Sequence, residues 1–247
     1  MLRSRQEAEH RRSLRDQVYE VLRRRIICGE IPPGGAIDDT EVASQLGISR
    51  TPVREAIKKL SDERLVDVVA QSGTRASRID RHEVHQAYVI RRALEMESAA
   101  CAAVNMTATH AQTLSDILTD HTRAIEQKRF NDAIAIDDSF HRYIAGVSNL
   151  TRLWNTVEIS KAELDRCRHL MVPRSGEGET TLKHHREIVR ALQTGDAEAA
   201  RLAMARHLDA AYATTVKMLD SEYAGSFAPF TTQGPREALR QPRPQDR

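Results

Sequence analysis

Aromatic side chains make up only 4% of this sequence, which has a single Trp, 3 Cys, 8 Pro and 11 Gly in 247 residues. Each scarcity excludes something. Cys28, Cys101 and Cys167 are far apart and odd in number, with no C-x-x-C pair. That argues against a disulfide framework and for reduced, mostly structural thiols in a cytoplasm. No run of some twenty apolar residues occurs, so no helix of the chain spans a membrane and no membrane partner is expected. Met1 to Arg12 is charged without an apolar core, which does not read as a signal peptide. Few aromatics, glycines and prolines beside abundant Ala, Leu, Ile and Val favour helices over sheets. The net charge of +2 is also small, but it hides an asymmetry. Residues 1–78 carry 15 Lys/Arg against 12 Asp/Glu, and residues 79–224 carry 18 against 21. A basic front and a mildly acidic middle suit a DNA-reading module joined to something that does not touch DNA.

What the chain does have is centred on Gly47 to Leu60. Gly47 supplies a bend, Ser49 or Thr51 can cap the following N–H groups, and Pro52 sits in a first turn where its missing donor costs little. Val53, Ile57 and Leu60 form an apolar stripe, while Arg50, Arg54 and Lys58 repeat every four residues on another face. Glu41 to Leu46 offers a partner helix upstream. Two short helices joined this way, the second basic, make a helix-turn-helix whose second helix enters the major groove.

In chain order, residues 1–12 read as a disordered basic arm and residues 13–78 as the DNA-binding domain. Its first helix spans about Leu14 to Ile27, and Asp38 with Glu41 stands at capping-box spacing before the second. After the basic helix, Leu65 to Val69 and Arg75 to Ser77 read as strands of a hairpin with Gly73 at its tip, the wing of a winged helix-turn-helix. Residues 79–224 read as an antiparallel all-helical bundle: from Asp80 to about Val104, Thr107 or Thr109 to Gln127, Phe130 to Val147, Thr151 to Met171, a loop over Val172 to Glu179, a short helix to Gln193, and a last helix from Asp196 to about Glu222. Residues 225–247, rich in Pro, Gln and Arg, read as a disordered tail. The fold class is therefore mainly α, with a small wing.

A second constellation lies in the bundle. Asp137 and His141, four apart, share one helix face. His185 lies about ten residues before the turn at Gly195 and Asp196, and His207 about eleven after it. At about 1.5 Å per residue an antiparallel hairpin brings both to one height. Three imidazoles and a carboxylate on facing helices suit a divalent transition metal. His184 competes with its neighbour His185, and helical spacing does not separate them.

With these residues in view, the chain resembles the GntR family of transcription regulators, in its FadR-like subgroup with an FCD effector domain. The resemblance covers about residues 14–222. It rests on Ser49 to Ala56, Arg91 to Glu95, Asp137 to His141, His185 to Ile188, Gly195-Asp196 and Met204 to Leu208. It implies metal ligands at Asp137, His141, His185 and His207, and so favours His185 over His184. It implies Zn first, with Ni or Mn as possibilities, and a small carboxylate effector beside Arg91. For DNA it implies that Ser49, Arg50, Thr51, Arg54 and Lys58 serve the recognition helix and that the wing touches the minor groove near Gly73. The chain departs from many relatives at Thr40, where they carry Arg, so a DNA contact made there is in doubt.

The reading that follows is a DNA-binding regulator, not an enzyme, bound to an inverted-repeat operator as a homodimer, since one short helix reads too few base pairs. Arg91, on the first bundle helix, gives a route from effector to DNA-binding module. Two other readings remain open at this level: a metal-dependent enzyme domain fused to a DNA-binding module, and a regulator whose metal site is purely structural.

Overall fold

The computed structural model describes residues 13–69, 73–175 and 178–221. Among them are ten helices and three short strands: α1 (Leu14–Ile27), β1 (Ala36–Ile37), α2 (Asp39–Leu46), α3 (Arg50–Asp62), β2 (Val66–Val69), β3 (Gly73–Ala76), α4 (Arg81–Val104), α5 (Ala108–Glu126), α6 (Phe130–Val147), α7 (Thr151–Ser160), α8 (Ala162–Ser175), α9 (Gly178–Gln193) and α10 (Ala197–Ser221). The mainly α class, a winged helix-turn-helix followed by a helical bundle, is the architecture found. The basic arm, the tail and the turn residues Gln71 and Ser72 lie outside the described residues.

The first three helices form because their apolar stripes meet. Val18, Leu22 and Ile26 of α1 face Val53, Ile57 and Leu60 of α3, all buried in one core with Val66 and Ala76 of the sheet. Asp38 caps α2, its carboxylate accepting from the N–H groups of Thr40 at 2.7 Å and Glu41 at 3.2 Å. Gly47 ends that helix at φ 67°, a left-handed conformation that glycine adopts without strain. Ser49 occupies the cap position of α3, but neither it nor Thr51 makes a side-chain cap bond there, contrary to expectation. The wing is a three-stranded antiparallel sheet in the order β1-β3-β2 rather than a simple hairpin. The added strand, β1, is two residues long, too short for any periodicity to reveal.

In the bundle, α4 and α10 pack most extensively on each other. Asp80, Thr107 and Asp196 cap α4, α5 and α10 by accepting from His82, His110, and Glu198 and Ala199 N–H groups. Two expectations are corrected. The helix expected over Thr151 to Met171 breaks at Lys161 into α7 and α8. There the buried Lys161 ammonium turns inward to Asp138 at 2.8 Å and Asp165 at 2.5 Å. The loop expected over Val172 to Glu179 is shorter, because α8 runs to Ser175 and α9 begins at Gly178. Glycine is needed at 178 for packing: a Cβ there would lie 2.6 Å from Ile125 Cγ2 of α5.

The two modules meet along α8. Ala162 joins the core of the winged helix. Arg166, almost wholly buried, donates from Nη2 to the Ser77 carbonyl at 2.5 Å and from Nη1 to Ser77 Oγ at 3.1 Å and Glu163 at 2.9 Å. Ser77 directly follows β3, so this helix of the bundle grips the end of the wing.

Candidate metal centre and DNA-reading face

Asp137 and His141 project from α6, His185 from α9 and His207 from α10, and all four are buried. Gly195, at φ 71°, turns α9 back into α10 and brings the His185 and His207 rings to 4.6 Å between centroids. One ligand atom from each of the four lies within 4.8 Å of every other. His141 Nε2 is 3.2 Å from His207 Nε2 and 3.8 Å from Asp137 Oδ2, while His185 Nε2 is 3.4 Å from Asp137 Oδ1. Ligands about 2.0–2.2 Å from a common ion stand roughly 3–3.5 Å apart, so these separations suit one cation. His184 is not in the group; its ring lies 6.1 Å from that of His207.

The electrostatics suit a metal as well. Burial holds the His185 and His207 imidazoles well below their ordinary pKa, reinforced by the neighbouring histidines, so both rings are neutral ligands. Both ring nitrogens of His185 lack any hydrogen-bond partner, although the residue is fully buried. Orphaned buried nitrogens cost about 1–3 kcal/mol each, a cost that a bound cation would remove. Burial opposes ionisation of Asp137, but the Arg168 guanidinium beside it outweighs that and holds the carboxylate well below its ordinary range. Glu95 lies against His141 Nδ1. A carboxylate there suits the tautomer with its proton on Nδ1, whose Nε2 lone pair faces the other three ligand atoms. Despite burial, Arg91 and His141 bring the Glu95 pKa down to about 2.

A cavity of about 170 Å³ opens beside this cluster, with Arg91, His121, Asp137, Arg168, His184 and His207 in its wall. Arg91 does pair with Glu95, at 2.5 Å, but the pair is buried rather than solvated, and Arg91 Nη2 is left without a partner. Sequence reasoning missed three residues here. Arg168 donates to Asp137 at 2.7 Å and Asp138 at 3.0 Å. Glu95 orients His141. His121 is buried, with its ring 5.4 Å from that of His185 and its Nδ1 unpartnered. Only Glu95 had a signal, its four-residue spacing from Arg91.

On the other module, Arg50, Arg54 and Lys58 are exposed on α3, together with Ser49 and Thr51 at its start. Gly73 opens β3 at φ 89°, where an added Cβ would meet nothing within 4 Å. The two arginines are not isolated. Asp39, at the first position of α2, accepts from Arg50 Nη2 at 2.8 and 3.0 Å and from Arg54 Nε at 2.7 Å.

Comparison with known proteins matches both modules. Residues 14–75 fit the model for bacterial regulatory proteins of the gntR family, and residues 86–210 fit the FCD domain. The Escherichia coli HTH-type transcriptional repressor RspR is 34% identical over 192 residues, covering 78% of this chain and 84% of that protein. An HTH-type regulator in an unstable DNA locus of Streptomyces ambofaciens is 32% identical over 201 residues, covering 81% and 84%. The E. coli McbR/YncC structure superposes with a TM-score of 0.73 at 23% identity, over 85% of this chain and all of that one, a likeness of fold. Among the described residues no helix is long and apolar enough to cross a membrane. A basic helix-turn-helix, a wing and an FCD bundle with a buried Asp-His cluster that could bind a metal thus occur in one chain, which belongs to the GntR family of DNA-binding transcription regulators.

Proposed function

We propose that this regulator binds an inverted-repeat operator as a homodimer and that a small carboxylate, held at a metal in the bundle, changes its grip on DNA. Asp137, His141, His185 and His207 hold the metal, with zinc the first candidate and nickel or manganese behind it. The observation that carries the reading is His185, fully buried with both ring nitrogens unpartnered among three other ligand-type side chains. A divalent cation there supplies a Lewis-acidic position for a carboxylate oxygen. Arg91 Nη2 and Arg168, both in the cavity wall, supply guanidinium donors for the rest of the anion.

Two helices link the cavity to the DNA-reading module. Arg91 lies on α4, which begins soon after the wing. Arg168 and Arg166 lie two residues apart on α8, and they reach Asp137 and Ser77 respectively. An anion that draws Arg168 away from Asp137 therefore pulls on the helix that grips the wing. The ligand shifts the equilibrium only by its unequal affinity for the operator-bound and operator-free forms.

The test is a thermal-shift panel of small carboxylic acids on protein with and without a chelator. The expected result is a rise in melting temperature that needs both acid and metal. Arg91→Ala should keep its metal and basal operator affinity but respond to acid only at much higher concentration. Arg91→Lys should recover little, because a point charge does not replace the planar fork. Stabilisation by metal with no response to any acid would instead mark the cluster as a structural clip.

A further inference from the structure

We propose that Asp39 is a positioning residue for DNA reading: it holds the guanidinium groups of Arg50 and Arg54 in the orientation that meets base edges, and so contributes specificity without touching a base itself. The proposal rests on the reading that α3 enters the major groove.

An acidic side chain on a face that meets phosphates is a cost to affinity, since every local negative charge opposes the DNA backbone. Asp39 nevertheless sits between the two exposed arginines of α3. Its carboxylate accepts from Arg50 Nη2 at 2.8 and 3.0 Å, from Arg54 Nε at 2.7 Å and from Thr40 Oγ1 at 3.3 Å. The Arg54 and Arg50 hydrogen bonds hold Asp39 below the usual carboxylate range, so it is charged at any pH at which the protein binds DNA. The arrangement does little for the fold. The Arg50 and Arg54 side chains are 50% and 65% exposed, and ion pairs that open to water contribute little stability. Nor is Asp39 the cap of its helix, because Asp38 makes the cap bonds.

The choice of atoms indicates the role. Arg54 is held through Nε, which leaves its terminal Nη1 and Nη2 as a free fork. That fork matches guanine O6 and N7, the commonest specific contact in the major groove. An arginine already fixed in that pose loses fewer rotamers on binding than a free one, and wrong poses on the wrong base are disfavoured. Thr40 gains a part in this arrangement. Its hydroxyl donates to the carboxylate that holds the two arginines of α3.

The probes for the test are the duplex that the full-length wild-type protein selects from a randomised library and a scrambled duplex of equal length. Asp39→Ala should bind the selected duplex about ten-fold more weakly and the scrambled one no more weakly than wild type. Asp39→Asn, which keeps the shape and one acceptor, should fall between. The effect of Arg54→Ala on the selected duplex should be smaller in the Asp39→Ala background than alone. The proposal is overturned if Asp39→Ala raises both affinities together and leaves their ratio within about two-fold of wild type, the signature of a charge acting only on phosphates. It is also overturned if Arg54→Ala costs the same with and without Asp39. An Arg54→Ala protein that still separates the two duplexes would remove the α3 reading itself. If Asp39→Ala fails to fold, Asp39→Asn carries the same comparison.

Discussion

Arginine is put to opposite uses in the two modules. On α3 the Arg54 side chain is 65% exposed and leans on a single carboxylate; on α8 the Arg166 side chain is 1% exposed and spans Ser77 and Glu163. The first stays held through Nε and still offers its terminal fork to a base, in a pair that water already screens. The second cannot leave, because a charge stripped of partners in a dry interior is costly. Arg54 of the winged helix is therefore available to a macromolecule, whereas Arg166 of the bundle is committed to holding α8 against the wing, and in the proposed function Arg91 waits for a small ligand. The same contrast separates the histidines. His185 is buried with no hydrogen-bond partner, while His85 at the surface shares a hydrogen bond with Tyr212.

The largest effect expected is on metal content. His207→Ala should reduce it from about one ion per chain to almost none, since one of four ligands is gone. A metal at about a thousand times its Kd contributes roughly 4 kcal/mol to the folded state, so the stabilisation that metal brings to wild type should disappear with it. His184→Ala sharpens the comparison, because His184 lines the cavity outside the ligand group and its loss should leave the metal in place. Elemental analysis of protein purified without a His-tag or chelator decides both. A wild type that neither carries nor takes up metal would dissolve the contrast between committed and waiting charges.

What was legible in the sequence follows the same division. The stripe of Val53, Ile57 and Leu60, the turn at Gly47 and the caps at Asp38 and Asp80 are local signals, so the winged helix and the ends of α1, α2 and α4 could be read directly. Asp137 with His141 and the hairpin of His185 with His207 were readable because helical rise converts residue counts into heights. Helix geometry alone did not choose between His184 and His185; the resemblance did. Arg168 and His121 escaped because which faces of a bundle meet is a tertiary matter. Helix α8 carries Glu163, Asp165, Arg166 and Arg168 on all sides and so reads as solvated, yet Asp165 and Arg166 are buried. The break at Lys161 was invisible for the same reason, since a lysine between two good helices gives no sign of turning inward.

A middle-sized effect should separate the two arginines. Arg166→Met removes a buried cation from Glu163 and from both Ser77 acceptors, and should cost about 3–5 kcal/mol in urea unfolding. Arg54→Ala, taken as the exposed counterpart, should change folding stability by no more than about 0.5 kcal/mol. Should Arg166→Met cost less than about 1 kcal/mol, water or a shifted helix has replaced the bridge, and α8 would not be the firm link between bundle and wing.

The smallest effect concerns the two lysines that end the basic face of α3. Lys58 is exposed, one turn beyond Arg54. Its neighbour Lys59 holds its ammonium 3.6 Å from the centre of the Tyr19 ring, whose hydroxyl donates to Glu63. A cation over an aromatic ring contributes about 0.5–1 kcal/mol at exposed sites, so Lys59 is partly bound to its own fold. The two adjacent lysines should therefore behave differently. Lys58→Ala should weaken binding to selected and scrambled duplexes alike, and reduce the slope of log K against log salt by about 1 if one phosphate contact is lost. Because phosphates carry no sequence information, the ratio of the two affinities should stay near the wild-type value. Lys59→Ala should leave the salt slope nearly unchanged and lower the melting temperature slightly instead. Binding titrations at four or five salt concentrations distinguish these outcomes. Equal slopes for the two variants would mean that Lys59 leaves Tyr19 when DNA arrives, and the line between charge kept for the fold and charge offered to a partner would then run through this module as well as between the modules.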